Sequence, residues 1–177
     1  MRALIVVAAL LVSRGASADP TSRLALTGGR RANFGAVGQL WSGGWVRGVE
    51  AGYQPTWIGV AWALLWTTLS PAQEDTTLSS VDTWQIDTAA RFRARVPLGL
   101  PAQTFVSVQA GGTLLRTEVP LTEGAGAGSF GGVAGAGFEV AIGGLQLGLG
   151  VGGAVYAGGP TSFDVRLSIG YGRVESR

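Results

Sequence analysis

The chain has 177 residues, of which 30 are glycine, 11 are acidic and 13 are arginine, with no lysine, histidine or cysteine. Without histidine and cysteine the chain cannot build a Ser-His or Cys-His hydrolase or the usual zinc site, and it forms no disulfide. Two of the arginines lie in the first 14 residues. The rest of the chain is therefore nearly neutral and lacks the basic excess typical of nucleic-acid binding.

The N-terminus has the three-part layout of a cleavable secretory signal. Arg2 is followed by an apolar run from Ala3 to Val12 and then by Ala16-Ser17-Ala18. The run is about ten residues, too short to cross a hydrocarbon core of about 30 Å as a helix. We expect cleavage after the small-residue triplet, which leaves residues 1–18 as the signal and residues 19–177 as one exported domain.

Apolar residues alternate with polar or small residues along most of this domain, with the two-residue period of a β-strand. The alternation is clearest in the last strand, where the apolar residues are Phe163, Val165, Leu167, Ile169 and Tyr171. In chain order the pattern predicts eight strands, at 31–41, 45–53, 56–69, 81–96, 103–116, 129–142, 145–157 and 163–171. The phase of the first strand extends back to Leu24.

The predicted connections alternate in length. Ser42-Gly43-Gly44 is predicted to be a tight connection, and short turns follow near Gln54, Pro97 and Gly143. Longer polar loops are predicted at 70–80 and 117–128. Counted back from the C-terminus, the turns at 54, 97 and 143 fall on one side of the sheet and the two long loops on the other, as in bacterial outer-membrane barrels.

Membrane-spanning helices are a poor alternative for the two long uncharged segments. Pro55 and Pro71 interrupt the first segment, and the second contains many glycines and Pro160. Each glycine in a helix costs about 1 kcal/mol relative to alanine. A soluble lipocalin-like barrel, with its apolar face inside, stays open as a second alternative to a membrane barrel with its apolar face outside.

Charged residues of the predicted strands lie on the face opposite the apolar stripe. In a membrane barrel this face lines the interior, where opposite charges must pair. The resulting candidate network has four carboxylates and four guanidiniums, at Glu50, Asp87, Glu139, Asp164, Arg91, Arg93, Arg95 and Arg166. Because the interior of an eight-stranded barrel is only wide enough for side chains, we expect this network to form a polar plug.

These strands and charges resemble the small eight-stranded outer-membrane proteins of the OmpA/OmpX type over nearly all of residues 19–177. The resemblance implies an all-β fold, an antiparallel up-and-down transmembrane β-barrel located in the cell outer membrane. It also implies an aromatic residue on the last strand that the barrel-assembly machinery recognises. Tyr171 fits that role, although the chain continues for six residues to Arg177.

The expected function is non-enzymatic, a structural or surface-interaction role through the outer loops. The alternatives are a narrow channel or carrier for small or hydrophobic molecules and a soluble periplasmic lipid-binding barrel. The expected partners are outer-membrane lipid, lipopolysaccharide and the assembly machinery, with no nucleic acid, no cofactor, no bound metal and a monomeric state. The acidic outer-loop candidates for sharing divalent cations with lipopolysaccharide are Glu74, Asp75, Asp82, Glu118 and Glu123.

Overall fold

The computed structural model describes residues 22–35, 41–54, 58–71, 83–98, 103–118, 126–142, 144–157 and 161–172, nearly all of them in β-strands. In chain order the strands are β1 Ser22–Phe34, β2 Trp41–Tyr53, β3 Ile58–Thr68, β4 Ser70–Pro71, β5 Trp84–Pro97, β6 Gln103–Glu118, β7 Gly126–Ile142, β8 Leu145–Tyr156 and β9 Thr161–Gly172. None of these residues belongs to a helix long and apolar enough to cross a membrane.

The strands close into one antiparallel barrel. Sequence neighbours pair along the sheet, and β1 pairs with both β2 and β9, which joins the two ends. The two-residue β4 follows β3 after Leu69 and also pairs with β2, so β3 and β4 together form one of eight walls. The predicted fold, an up-and-down barrel of about eight strands, is therefore confirmed. Closure leaves no unpaired sheet edge.

The first strand lies earlier in the chain than predicted. β1 ends at Phe34, and Trp41 begins β2 instead of ending the first strand. The predicted connection at Ser42-Gly43-Gly44 is wrong, because both glycines pair with β1 inside β2. Gly43 has a φ of 110°, which glycine alone adopts readily, and the register with β4 shifts beside it. The glycine pair therefore marks a β-bulge rather than a turn.

Other boundaries differ by a few residues. Ser70 and Pro71, predicted to begin a loop, pair with β2, and β6 and β7 extend into the predicted 117–128 loop as far as Glu118 and Gly126. These residues lack the alternation of apolar and polar side chains, but the adjacent strands supply hydrogen bonds to their backbone. Pairing across the barrel, rather than the local pattern, sets where these strands end.

Apolar side chains cover the outside of the barrel. Along β9 the apolar residues are exposed, whereas Ser162, Asp164 and Arg166 between them are buried in the interior. The same alternation exposes the predicted apolar residues of β3, such as Val60 and Trp62. A soluble barrel has the opposite polarity. The soluble periplasmic alternative is therefore wrong.

The two ends of the barrel differ. The terminal end is formed by the strand ends Ser22, Tyr53, Ile58, Pro97, Gln103, Ile142, Leu145 and Gly172, and the loop end by Phe34, Trp41, Pro71, Trp84, Glu118, Gly126, Tyr156 and Thr161. Exposed aromatic residues occur near both ends. On β2 they are Tyr53 and Trp45, and on β9 they are Tyr171 and Phe163. Each pair is eight residues apart, about 26 Å along a strand, which at a tilt of about 40° spans about 20 Å of the roughly 25 Å apolar band of a membrane barrel.

Candidate functional site

The interior of the barrel is the candidate site, and β5 contributes more charged residues to it than any other strand. Because alternate residues of a strand face the same side, Asp87, Arg91, Arg93 and Arg95 all point inward. Asp87, Arg91 and Arg93 are buried. Burying these charged side chains is unfavourable unless they pair with other interior groups.

The first group of pairs, the outer charge cluster, lies in the half of the barrel near the loop end. It contains Arg31, Asp87, Tyr156, Asp164 and Arg166. The guanidinium of Arg31 forms an ion pair with Asp87 and lies 3.3 Å from Asp164 Oδ2. Tyr156 donates a hydrogen bond of 2.6 Å to Asp87 Oδ1, and Arg166 Nε is 2.6 Å from Asp164 Oδ1. Two arginines thus balance two aspartates across β1, β5 and β9.

The second group, the inner charge cluster, lies nearer the terminal end and contains Arg23, Glu50, Arg93, Arg95 and Glu139. Glu139 on β7 is its centre. Arg23 Nη1 lies 3.2 Å from Glu139 Oε2, Arg95 Nη1 lies 3.8 Å from the same oxygen, and Arg93 also pairs with Glu139. Arg93 Nη1 in addition lies 3.2 Å from Glu50 Oε1. Side chains from β1, β2, β5 and β7 therefore meet in one network.

Arg91 lies between the two clusters and is the least well paired of the interior arginines. Its nearest described carboxylate atom is Glu50 Oε2, 3.9 Å from Arg91 Nη1. Neither Nε nor Nη1 of Arg91 makes a hydrogen bond within the described residues, although the side chain is only 2% exposed. A buried guanidinium with so few partners is costly.

All eight residues of the predicted interior network point into the barrel, and the structure brings them together with two arginines that the sequence analysis did not include. Arg23 and Arg31 lie on β1, on the strand face opposite Leu24 and Leu26. That parity was visible in the sequence, since Arg31 begins the predicted first strand and Arg23 lies just before its backward extension, but neither arginine was counted. Among the described residues the interior therefore holds six arginines and four carboxylates, instead of four of each.

A small cavity lies beside the inner charge cluster. Its volume is about 40 Å³, and its lining includes Arg23, Arg93, Gln109, Gly137 and Gly150. The glycines lie on β7 and β8, which are two strands along the sheet from β5 and β1, respectively, the strands that carry these arginines. In the lining, Ser107 donates a hydrogen bond of 3.1 Å to Glu139 Oε1, but that carboxylate is already ion-paired with arginines. None of the described residues forms a group of three or more His, Cys, Asp or Glu ligands suited to a metal ion. The arrangement fills space and fixes strands.

A second charged feature lies on the outside of the barrel. The guanidinium carbon of Arg30 is 5.1 Å from the centre of the Trp45 ring, and that of Arg47 is 5.5 Å from the centre of the Trp66 ring. Both arginines are exposed. Neither forms an ion pair with a carboxylate in the described part of the chain. These two cation–π pairs, the exterior arginine pairs, lie in the half of the barrel near the loop end.

The predicted outer-loop residues are largely outside the described residues. Glu74, Asp75, Asp82 and Glu123 fall there, as do the predicted signal at 1–18 and the segment after Gly172. Glu118 ends β6, where its backbone pairs with Trp84 and Gly126 at the loop end. The loop end is thus the end to which the acidic candidates belong by chain position.

The chain matches no family model and no curated protein sequence. Solved structures do resemble it. Neisserial surface protein A is 14% identical with a TM-score of 0.67, over 85% of this chain and 96% of that one. The outer membrane protein OprG of Pseudomonas aeruginosa is 9% identical with a TM-score of 0.59, over 85% and 95%. Ail, the attachment invasion locus protein of Yersinia pestis, is 11% identical with a TM-score of 0.56, over 85% and 96%.

At these identities the likeness establishes the fold, the small eight-stranded barrel of outer-membrane proteins. The predicted resemblance is confirmed at this level. Together with the apolar exterior, the likeness agrees with the predicted location in the cell outer membrane. What the barrel does there depends on its interior and its exterior surface.

Proposed function

We propose that this chain is a non-enzymatic outer-membrane barrel whose interior is closed by its own side chains and whose function lies in its surface. The observation that carries the closed interior is the reach of Arg93. From β5 it contacts Glu50 on β2 and Glu139 on β7, on different walls of the barrel. Ion pairs that cross an eight-stranded barrel occupy the space that a pore would need.

Conductance in a planar bilayer tests the closed interior. The folded protein, checked by its heat-dependent shift on an SDS gel, is expected to give no stepwise conductance of the kind that open pores give. The matched variant carries Arg91→Gly and Arg93→Gly together. Because this variant removes two long interior side chains, it is expected to conduct. Stable conductance steps in the unaltered protein would contradict the closed interior and favour the narrow channel, the second candidate function.

The exterior arginine pairs support a specific lipid partner, the phosphorylated lipid of lipopolysaccharide. Arg30 and Arg47 stand on a surface that otherwise suits hydrocarbon, and they lack carboxylate partners among the described residues. An unpaired charge facing the membrane core is unfavourable by about 2–4 kcal/mol, and less near the headgroups. A lipid phosphate at this depth would offset that cost, since guanidinium binds phosphate oxygens through two parallel hydrogen bonds.

Tryptophan fluorescence tests this partner, because Trp45 and Trp66 contact the two arginines. Protein in neutral detergent is titrated with lipid A and, separately, with dephosphorylated lipid A. We expect a spectral change with the phosphorylated lipid alone. Double substitution of Arg30 and Arg47 to Gln should weaken the response at least about tenfold, whereas substitution of both to Lys keeps the charge and should weaken it less. Equal responses to the two lipids would contradict a phosphate contact.

The remaining surface function belongs to the loop end. By analogy of fold, we infer assembly by the barrel-assembly machinery and a monomeric state, and we assign cell-surface contacts to the loops with Glu74, Asp75, Asp82, Glu118 and Glu123. Acidic loops can bind lipopolysaccharide by sharing divalent cations with its phosphates. Magnesium-dependent binding of lipopolysaccharide to this barrel, compared with a barrel whose residues 72–82 and 119–125 are replaced by short Gly-Ser turns, tests this role. Weaker binding by the shortened barrel is expected, and equal binding by the two barrels would contradict it.

A further inference from the structure

A groove crosses the apolar exterior of the barrel, on the wall formed by β1, β9, β8 and β7. Two rows of outward-facing residues border it, and within each row every residue pairs with the next across the sheet. The row nearer the loop end is Gly28, Leu167, Leu149 and Phe138. The row nearer the terminal end is Leu26, Ile169, Leu147 and Val140. The groove holds about 530 Å³, which is within the roughly 300–1,000 Å³ of ligand sites.

The β1 end of this groove meets the exterior arginine pairs. Gly28 pairs directly with Arg47 on β2 and lies two residues from Arg30 on the same face of β1. Because Arg30 pairs with Trp45, the two arginines are diagonal neighbours, about 7–8 Å apart between Cα atoms. One phosphorylated headgroup can therefore contact both guanidiniums. Gly28 has no side chain, so the groove is open toward them.

The groove runs in the direction that a lipid chain requires. Gly28 lies six residues from Ser22, at the terminal end of β1, whereas Phe138 lies four residues from Ile142, at the terminal end of β7. The groove therefore approaches the terminal end as it leaves the arginines. Its four strands span three strand spacings, about 14 Å, close to the roughly 15 Å of hydrocarbon in one leaflet. Since the long loops of bacterial barrels face the cell exterior, this path leads from the outer surface into the membrane.

We infer that this groove binds one acyl chain of the phosphorylated lipid whose headgroup contacts Arg30 and Arg47. The inference rests on the phosphate contact proposed above and adds the position of the chain. Phosphate complements two exposed guanidiniums that lack carboxylate partners among the described residues. Hydrocarbon complements a groove bordered by leucine, isoleucine, valine and phenylalanine. Headgroup and chain together fix the lipid at one place on the barrel wall.

Site-specific fluorescence quenching in nanodiscs of neutral phospholipid tests the inference. The chain has no cysteine, so Leu149→Cys and Phe92→Cys each give one site for a bimane fluorophore. Leu149 borders the groove, whereas Phe92 is exposed on β5 outside it. The quencher is a nitroxide on the acyl chain of phosphatidic acid or, at the same mole fraction, of phosphatidylcholine. We expect quenching at Leu149 to be at least about twofold stronger with phosphatidic acid, and quenching at Phe92 to be equal with both lipids.

Equal quenching by the two lipids at Leu149 would overturn the acyl-chain site, and so would the same excess at Phe92. A second copy of the chain in the groove would exclude both quenchers from Leu149 alone, which also overturns it. Failure of the phosphate contact is read separately, from the tryptophan response to phosphorylated and dephosphorylated lipid A. A phosphate-dependent tryptophan response without excess quenching at Leu149 overturns the acyl-chain site alone.

A substitution that fills the groove tests the path of the chain. Within 4 Å, a methyl group at Gly28 would meet only Val46 O, at 3.9 Å, so the outer face accommodates Gly28→Leu. This variant should abolish the excess quenching at Leu149. The matched control is Gly132→Leu on β7, where a methyl group would meet only Gly111 O, at 4.0 Å. It adds the same side chain at an exposed position outside the groove and should keep the excess. An excess that survives Gly28→Leu would overturn the path along the groove.

Discussion

The two halves of the barrel wall fill the interior in opposite ways. β5 sends one aspartate and three arginines inward, whereas β7 and β8 present mainly glycine and alanine there. Long side chains from one wall thus reach across to a wall with little volume of its own. Arg93 on β5 reaches Glu139 on β7, the single charged residue that the β7 wall supplies. Because the interior has room for only one layer of long side chains, the long residues of β5 require small residues at most inward positions of β7 and β8.

This difference explains the glycine content better than backbone freedom does. A methyl group added at Gly137 would lie 3.1 Å from Ser107 Oγ, and one added at Gly135 would lie 2.6 Å from the backbone oxygen of Val151. Both positions are extended backbone that any residue can adopt. The glycines of this wall therefore leave room both for the backbone of the neighbouring β8 and for side chains from other strands.

The largest expected effect follows from removing the one charge of the glycine-rich wall. Glu139→Gln leaves Arg23, Arg93 and Arg95 with Glu50 alone, so buried positive charge rises without compensation. We expect the free energy of unfolding to fall by about 3–5 kcal/mol. Urea unfolding in neutral detergent, followed by tryptophan fluorescence, measures this change.

The matched control for that substitution is Ser107→Ala. It removes the hydroxyl that donates to Glu139 Oε1 at 3.1 Å but leaves the carboxylate charge in place, and it should cost about 1 kcal/mol. If Glu139→Gln costs no more than Ser107→Ala, charge balance does not couple the two walls.

The second-largest expected effect concerns a polar side chain that β8 directs into the interior. Tyr156 is buried and donates to Asp87 on β5. Tyr156→Phe keeps the ring and removes the donor to a charged acceptor, which should lower the free energy of unfolding by about 1.5–3 kcal/mol. Tyr171→Phe, on the exposed face of β9, should change it by less than about 0.5 kcal/mol. Similar effects at both tyrosines in urea unfolding would argue against a stabilising contact across the barrel.

Alternation along the strands predicted the fold and the inward direction of the charges. Which of the two strand faces a side chain lies on depends on whether its position along the strand is odd or even, and this can be read directly from the sequence. Parity alone placed Asp87, Arg91 and Glu139 on the face opposite the apolar stripe. Parity alone did not decide which face lies outside; the predicted outward apolar face rested on the width of the apolar stripe on neighbouring strands.

The partners of those charges were not predictable in the same way. Which arginine meets which carboxylate depends on register around a closed barrel, and the first strand was misplaced because Gly43 and Gly44 resemble a turn. Their true role, a bulge within β2, depends on pairing with Arg31 and Ala32 on β1. Arg23 and Arg31 were missed separately: their inward parity could be read from the sequence, but only the closed pairing of β1 with β2 and β9 brings them into the interior with the other charges.

The smallest expected effect compares two glycines of the same wall, both directed inward on β8. A methyl group at Gly152 would lie 3.2 Å from Arg166 Nη2 and 3.3 Å from Asp164 Oδ1, whereas one at Gly150 would first meet a backbone oxygen, Ala136 O, at 3.6 Å. Gly152→Ala should therefore displace the Arg166–Asp164 pair and cost about 1 kcal/mol. Gly150→Ala should stabilise the barrel by about 0.5 kcal/mol, because alanine restricts the unfolded chain. Urea unfolding measures both changes in the free energy of unfolding. A loss for Gly152→Ala with a gain for Gly150→Ala would show that glycine is required only where a charge pair occupies the space. Equal losses would mean that glycine is required by the backbone of the strand at both positions.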